Sequence, residues 1–332
     1  MTTEQEFSHP FIAVHVQSTG IHPSTGRLLT LDAVTFDADG NTGEEFHTIF
    51  NTGGDPGPIH RHGVPYSEFS QAQRFSSHLK TLDKLIDGRT LIVHDAPQVW
   101  GFIVSEARRA MNAAARANRS RNRGRGRRRQ RVGHVPRPEA IVDTLASTRR
   151  RGVALTDTRL YAVAAKLEVD APSPIASVDR AGRPEEETSR EATLVLIDLY
   201  RTLGSSGPTV SFGPKELKPD RFGLQRTHIR VEAEKAEPEH ENPGVYDAAR
   251  GLAPGMEFVV SDDVQIAPED LINAGREAGL TYTEKLTRTA SLVVTNLRTD
   301  LRGKAMHAHR KEIPLVTDKD FLAAVEELKS GA

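Results

Sequence analysis

The sequence has 332 residues, 37% hydrophobic and 27% charged, long and apolar enough for two cores. It has no cysteine, which excludes disulfides and thiolate metal sites and fits a cytosolic setting. No apolar run approaches the roughly 18 residues of a membrane span, the opening MTTEQEFSHP lacks the marks of a secretory signal, and the net charge of −1 hides a basic stripe. That stripe, Arg108 to Arg131, holds eleven arginines, with the acid Glu106 lying just before it.

Phe11 to Val16 is a short apolar run between Pro10 and the turn Ser18-Thr19-Gly20, and is expected to be a strand. Arg27 to Asp37 alternates as a second strand, and Asp39-Gly40 supplies a turn. Glu44 to Thr52 follows as a third strand, completing an antiparallel meander. After the Gly/Pro-rich loop Gly53 to Gly57, the spacing predicts a helix within Phe69 to Ile86, with Phe75, Leu79, Leu82, Leu85 and Ile86 on one side. Thr90 to Asp95 suits a buried strand, and Val99 to Ala115 resumes helical periodicity. From Ser120 to Arg131, glycines and self-repelling arginines predict no packed core, giving an insertion at about 116–135. Order returns at Pro138 to Leu145. A helix is expected across Leu160, Val163, Ala164 and Leu167 and, after a polar gap from Ala171 to Glu187, another over Ser189 to Leu203.

Residues 205–252 are rich in Pro, Gly and charge and are expected to be a linker, within which His228 to Ala233 could pair as a short strand. The last segment, 253–330, is a compact α/β pattern. Strands are expected at Met256–Ser261, Leu280–Thr283, Leu292–Thr295 and Pro314–Thr317. Helices are expected at Pro268–Gly279, Arg302–Lys311 and Asp318–Leu328.

Four segments carry a resemblance in the first 204 residues. Phe11 to Gly20 is an apolar strand ending in His-Val-Gln-Ser-Thr-Gly. Leu91 to Val99 is an apolar strand followed by His-Asp-Ala-Pro-Gln-Val. Ile141 to Leu145 is a short strand before a helix, and Ser189 to Leu203 is a later helix. In this order they resemble the DnaQ-like 3′-to-5′ exonuclease family, which includes the epsilon subunit of bacterial DNA polymerase III. The resemblance spans about residues 9–204. It implies an RNase H-like exonuclease fold, a mixed sheet with helices, and a place in DNA replication or repair in the bacterial cytosol or nucleoid.

Family members hold two divalent cations on four carboxylates, with a histidine as general base for the attacking water. This sequence departs from that pattern. The first-motif Asp and Glu are His15 and Gln17, and the second-motif Asp falls on Val99. In the third motif, Glu191 takes the Asp position and Glu186 the histidine position, with Asp198 seven residues further along the same helix. Magnesium requires hard oxygen ligands. The expectation is therefore an inactive or very weak nuclease site with no resident cofactor, and Mg or Mn only if Glu186, Glu191 and Asp95 rescue activity. A cleft with fewer carboxylates repels phosphate less, so a strand end could be held without being cut.

Arg119, Arg121, Arg123, Arg125, Arg127, Arg128, Arg129 and Arg131 are candidates for phosphate contacts with a single strand. The alternatives are a solvated insertion or docking on an acidic protein surface. Residues 253–330 resemble a BRCT domain, a small parallel α/β fold, through Met256–Ser261, Ala278-Gly279-Leu280, Ser291–Asn296, Gly303-Lys304-Ala305 and Ile313–Thr317. Phe321 stands where many members carry Trp and is expected in the core. The resemblance implies phosphate or partner binding at Ser261 and Lys304, and replication or repair proteins as partners. Asp262 and Asp263 would oppose an anion there, which leaves a plain protein–protein module as the alternative. For the whole chain, the expected function is a nucleic-acid-binding or scaffolding pseudo-exonuclease. An active 3′-to-5′ DNA exonuclease and an adaptor without nucleic acid are the alternatives.

Overall fold

The computed structural model describes residues 7–121 and 131–331. The chain divides into two compact units, 1–145 with 157–225, and 146–156 with 226–332.

The first unit begins with the expected meander: β1 (Phe11–Ser18), β2 (Leu28–Phe36) and β3 (Thr42–Ile49). Its register sets His15 opposite Asp32, and Asp32 opposite His47. Side chains alternate across a strand, so these three directly opposed residues share one face. One-turn helix α1 (Ile59–His62) and α2 (Tyr66–Gln71) follow, then α3 (Phe75–Ile86). The five apolar residues expected on one side of α3 are all buried. β4 (Thr90–Val93) pairs in parallel with β1. α4 (Ala96–Arg121) continues past Ala115 into the arginine stripe. β5 (Ile141–Asp143) pairs in parallel with β4, then α5 (Thr144–Arg150) begins. α6 (Leu160–Lys166), the single turn α7 (Val178–Ala181) and the long α8 (Glu185–Ser205) complete the helices. β6 (Ser211–Phe212) pairs antiparallel with β5, closing a sheet of order β3-β2-β1-β4-β5-β6. Ile12 and Val14 pack with α3 and α4 in one core, while α8 covers the face carrying Asp32 and His47.

Residues 205–252, expected to be a linker, carry β6, the ribbon of β7 (Leu217–Pro219) with β8 (Gln225–Thr227), and α9 (His228–Lys235). The short strand expected at His228 to Ala233 is therefore a helix. Ile229 and Ala233, one turn apart, both pack into the apolar cluster of the second unit, and this overrides the β-branched composition.

The second unit contains a four-stranded, all-parallel sheet of order β10-β9-β11-β12. Its elements are β9 (Glu257–Val260), α10 (Pro268–Glu277), β10 (Thr281–Tyr282), β11 (Leu292–Val294), α11 (Gly303–Arg310), β12 (Leu315–Val316) and α12 (Asp318–Ser330). Pro268 opens α10, where its missing N–H costs nothing. The Thr317 hydroxyl caps α12 by accepting from the Asp320 amide. Phe321 is fully buried and stacks on Phe258 at 5.1 Å. Gly275 lies so close to the Phe258 ring that a Cβ would stand 2.6 Å from it, so only glycine lets α10 pack there.

Candidate nucleic-acid cleft

A cleft of about 430 Å³ opens where β1 and β4 end. β1 sends His15 and Gln17 into it. At the end of β4 the chain turns through Asp95, which adopts a left-handed φ of 69°, and enters α4. The Asp143 carboxylate fixes this turn. It accepts hydrogen bonds from the amides of Asp95 at 3.2 Å, Ala96 at 2.8 Å and Leu145 at 2.9 Å, so one side chain caps the starts of α4 and α5. The first turn of α4 then presents Gln98 and Val99 to the cleft. Thr188, Ala192 and Leu196 of α8, spaced one turn apart, form the facing wall, and Arg61, Arg159, Tyr161 and Arg180 stand around them.

His15, Gln17 and Val99 thus meet in a single cleft. Glu186 and Glu191 do not join them. Glu186 is exposed, and Glu191 accepts from Arg183 at 3.0 and 3.2 Å. The reason is helical phase. The cleft face of α8 runs through 188, 192 and 196, so Glu191 is displaced by one residue, about 100° around the axis. Asp198 lines a different groove, with Asp37 and Asp170. Asp95 is the one carboxylate among the residues lining the cleft.

The imidazoles of His15 and His94, the amides of Gln17 and Gln98, hydroxyls and the single carboxylate of Asp95 are a poor donor set for magnesium, which prefers several hard, charged oxygens. Among the described residues no three His, Asp or Glu side chains are placed to hold a metal ion. The cleft does not fit the pair of metal ions implied by the family resemblance. Burial pushes the His15 imidazole below its usual pKa, against the pull of Glu185 and Asp32, so it stands neutral at pH 7. Guanidinium groups dominate the charge of the cleft instead.

No protein-family model matches the sequence, and no curated protein does. Solved structures with a similar chain course include a full-length 3′-exonuclease, at 11% identity and a TM-score of 0.43, covering 66% of this chain and 90% of that one. Exonuclease I of E. coli in complex with a dA16 oligonucleotide is similar at 13% identity and a TM-score of 0.37, covering 58% of this chain. NrnC of Brucella melitensis with bound Mg2+ is similar at 13% identity and a TM-score of 0.33, covering 62% of this chain and 77% of that one. The chain spans about two fifths of the exonuclease I chain, 40%. Likeness at this level carries nothing about chemistry, which rests on the residues themselves.

Behind His15, beneath α8, lies a buried ionic group that the sequence reading missed. His47 stands between two carboxylates, 3.4 Å from Asp32 and 3.1 Å from Glu185. Thr30 donates to Glu185 at 2.8 Å, Ser189 donates to the same oxygen, and Arg190 donates to both oxygens of Asp32 at about 3.0 Å while also reaching Glu45. Burial alone would lower the His47 pKa. The two carboxylate contacts outweigh it and raise the value to about 9, so the ring is an imidazolium at neutral pH. Burial likewise opposes ionisation of Asp32 and Glu185, yet their contacts hold both below the usual carboxylate range. The available signal was an acid inside β2, a strand otherwise filled with apolar and hydroxyl side chains. A buried acid of that kind requires a partner.

In the second unit, Ser261 is buried, and its amide donates to Val294. Lys304 donates from Nζ to the Val260 carbonyl and to Glu284 Oε1, both at 3.0 Å. Glu284 also accepts from Arg230 at 2.6 and 3.2 Å and from the Tyr282 hydroxyl at 2.5 Å. Asp263 turns away, accepting from Thr295 at 2.8 Å and from the Asn296 amide at 2.6 Å. Asp262 lies 3.5 Å from Arg230. The carboxylate that occupies the Lys304 site is therefore Glu284, from the loop after β10; of the two aspartates expected to oppose an anion, Asp262 lies beside Arg230 and Asp263 is engaged elsewhere. Of the arginine candidates, Arg119 and Arg131 are exposed and Arg121 ends α4. Arg123, Arg125, Arg127, Arg128 and Arg129 lie outside the described residues.

Proposed function

We propose that this chain is a DNA polymerase III epsilon-like pseudo-exonuclease that holds a nucleic-acid strand during replication or repair without cutting it. One observation carries the reading. The cleft that the family resemblance assigns to metal chemistry is walled by His15, Gln17, Val99, Thr188 and Ala192, with Arg61, Arg159 and Arg180 around it and Asp95 as its one acid. Such a cleft attracts phosphates and cannot gather two divalent cations. The meander followed by two parallel strands supports the exonuclease-like fold. An active enzyme using Glu186 and Glu191 lacks comparable support, because both stand off the cleft. The test is a fluorescence-anisotropy titration of a labelled single strand in EDTA. Binding is expected; no binding up to high protein concentration would overturn the reading.

The second unit serves, in this proposal, as a BRCT-like module that docks a replication or repair protein. Its all-parallel four-stranded sheet supports that reading. Glu284 already fills the cationic site at Lys304, so phosphopeptide binding is expected to be negligible in the native protein. Glu284→Ala is expected to create measurable phosphopeptide affinity, and Glu284→Ala with Lys304→Ala to lose it again. Calorimetric titration decides, with equal phosphopeptide affinity in native protein and Glu284→Ala as the contrary outcome.

A further inference from the structure

Beside the cleft, and continuous with it through Gln17, Arg61, Arg159, Pro174, Arg180 and Thr188, lies a second recess of about 270 Å³. Four arginines, Arg61, Arg159, Arg180 and Arg183, line it, and no carboxylate does. Their guanidinium groups are held differently. Arg159 is locked onto Asp157 through its Nε, 3.0 and 2.9 Å from the two carboxylate oxygens. Arg183 is held by Glu191 at 3.0 Å. Arg180 lies over the Tyr161 ring, 4.3 Å from its centroid, and donates to the Ser173 carbonyl. Arg61 is exposed and has no ion pair among the described residues. Arg159 and Arg183 are thus largely neutralised by their acids. Arg61 and Arg180 supply the charge that no carboxylate in the recess opposes.

The rim is apolar. Ile59, itself a lining residue, is 54% exposed. Ile175 and Val178, which flank the lining residues Pro174, Ala176 and Ser177, are 75% and 89% exposed. Large aliphatic side chains left in water beside uncompensated guanidinium groups suit a ligand that is anionic along one edge and flat and apolar along the other. A single strand of nucleic acid has that form. A duplex hides its base faces, and free phosphate has no apolar edge.

We propose that this recess binds the phosphodiesters of a single strand on Arg61 and Arg180, with bases lying against Ile59, Ile175 and Val178, and with no metal ion involved. The inference rests on the strand-holding reading above and names where and how the strand is held. Guanidinium groups replace the dications as the phosphate-binding charge, which makes the interaction independent of chelators and steeply dependent on salt. Contact of bases with aliphatic side chains makes it tolerant of base sequence.

The test uses the full chain, a labelled oligothymidylate and anisotropy in EDTA over a series of salt concentrations. Arg61→Ala with Arg180→Ala is expected to weaken binding about tenfold or more. It is also expected to lower the slope of log affinity against log salt by about 1.4, at roughly 0.7 per lost phosphate contact on a single strand. Arg61→Ala alone, at an exposed position, is expected to show about half the slope change and guards against misfolding of the double variant. Ile175→Ser with Val178→Ser is expected to reduce affinity while leaving the slope unchanged. If the native protein binds but the arginine double variant keeps its affinity and slope, the strand is held elsewhere and the recess is excluded, while the strand-holding reading survives. If the native protein binds only when magnesium is added, the metal-free recess is wrong. If it binds no strand at all, the underlying reading fails with it.

Discussion

Replacing Glu185 with alanine is expected to destabilise the first unit by about 3–5 kcal/mol, the cost of breaking a buried ion pair by removing one partner. Glu185 is 3% exposed and sits at the first turn of α8. Its loss leaves the His47 imidazolium with Asp32 as its only carboxylate contact, and Arg190 already shares that aspartate. It also strips Thr30 and Ser189 of their acceptor inside a packed layer. The reporter is built in. Trp100 is the only tryptophan in the chain and is buried in the core of this unit, so its fluorescence during urea unfolding follows the first unit without the second. A shift in midpoint worth less than about 1 kcal/mol would mean that the buried group is not coupled as the distances indicate.

The second large effect is a loss of stability in alkali. The folded-state pKa of His47, about 9, lies above its ordinary value of 6.5. A raised pKa stabilises fully below the unfolded value and loses that contribution as pH rises through the folded value. A difference of about 2.5 units sets an upper bound of about 3 kcal/mol, reduced by solvent screening of the partly exposed ring, and this contribution is lost as pH rises from about 6.5 through 9. Asp32 and Glu185 work in the opposite sense. Their depressed pKa values stabilise above the ordinary 3.8 and 4.5, and that contribution fades as pH falls through the lower folded values. The group as a whole therefore supports the unit best between about pH 4.5 and 6.5. Urea midpoints followed by Trp100 across this range test the sign, with His47→Gln as control. The native protein is expected to lose stability from pH 6.5 to 9.5 much more than the variant does, and parallel profiles would contradict the assignment of charge to His47.

Much of this architecture was legible because periodicity carries it. The three meander strands, the apolar face of α3 and the final strand–helix series follow from alternation and from helical spacing, while the core position of Phe321 is implied by the resemblance to BRCT domains, many of which carry Trp there. The failures have specific causes. α9 was mistaken for a strand because HIRVEA is β-branched in part, whereas its packing against the second unit is non-local. Glu186, before the expected helix, and Glu191, on it, are assigned through the register of the resembled third motif, but a one-residue phase shift turns a side chain from cleft to solvent, and the preceding loop offers no anchor for the phase. Arg61, Arg159 and Arg180 are far apart in the chain and no local pattern links them; only the folded chain gathers them. Glu284 escaped notice for the same reason, reaching Lys304 from a loop twenty residues earlier.

The same contrast explains why the cleft departs from the chemistry implied by its resemblance. His15, Gln17 and Val99 offer no carboxylate, and they lie on elements, β1 and α4, whose backbone does not depend on an acid at those positions. Apart from Asp95, which lines the cleft, the acids near this face, Asp32 and Glu185, are committed to His47, Arg190 and the hydroxyls beneath α8. Recruiting them to a cation would first require breaking those contacts.

The most direct test of a cleft that holds a strand without cutting it incubates the full chain with a 5′-labelled single strand and manganese, then scores mobility and strand length from the same samples. The expected result is a retarded complex whose strand, once released, keeps its full length. A ladder shortened from the 3′ end, abolished by Glu191→Ala, would contradict the account.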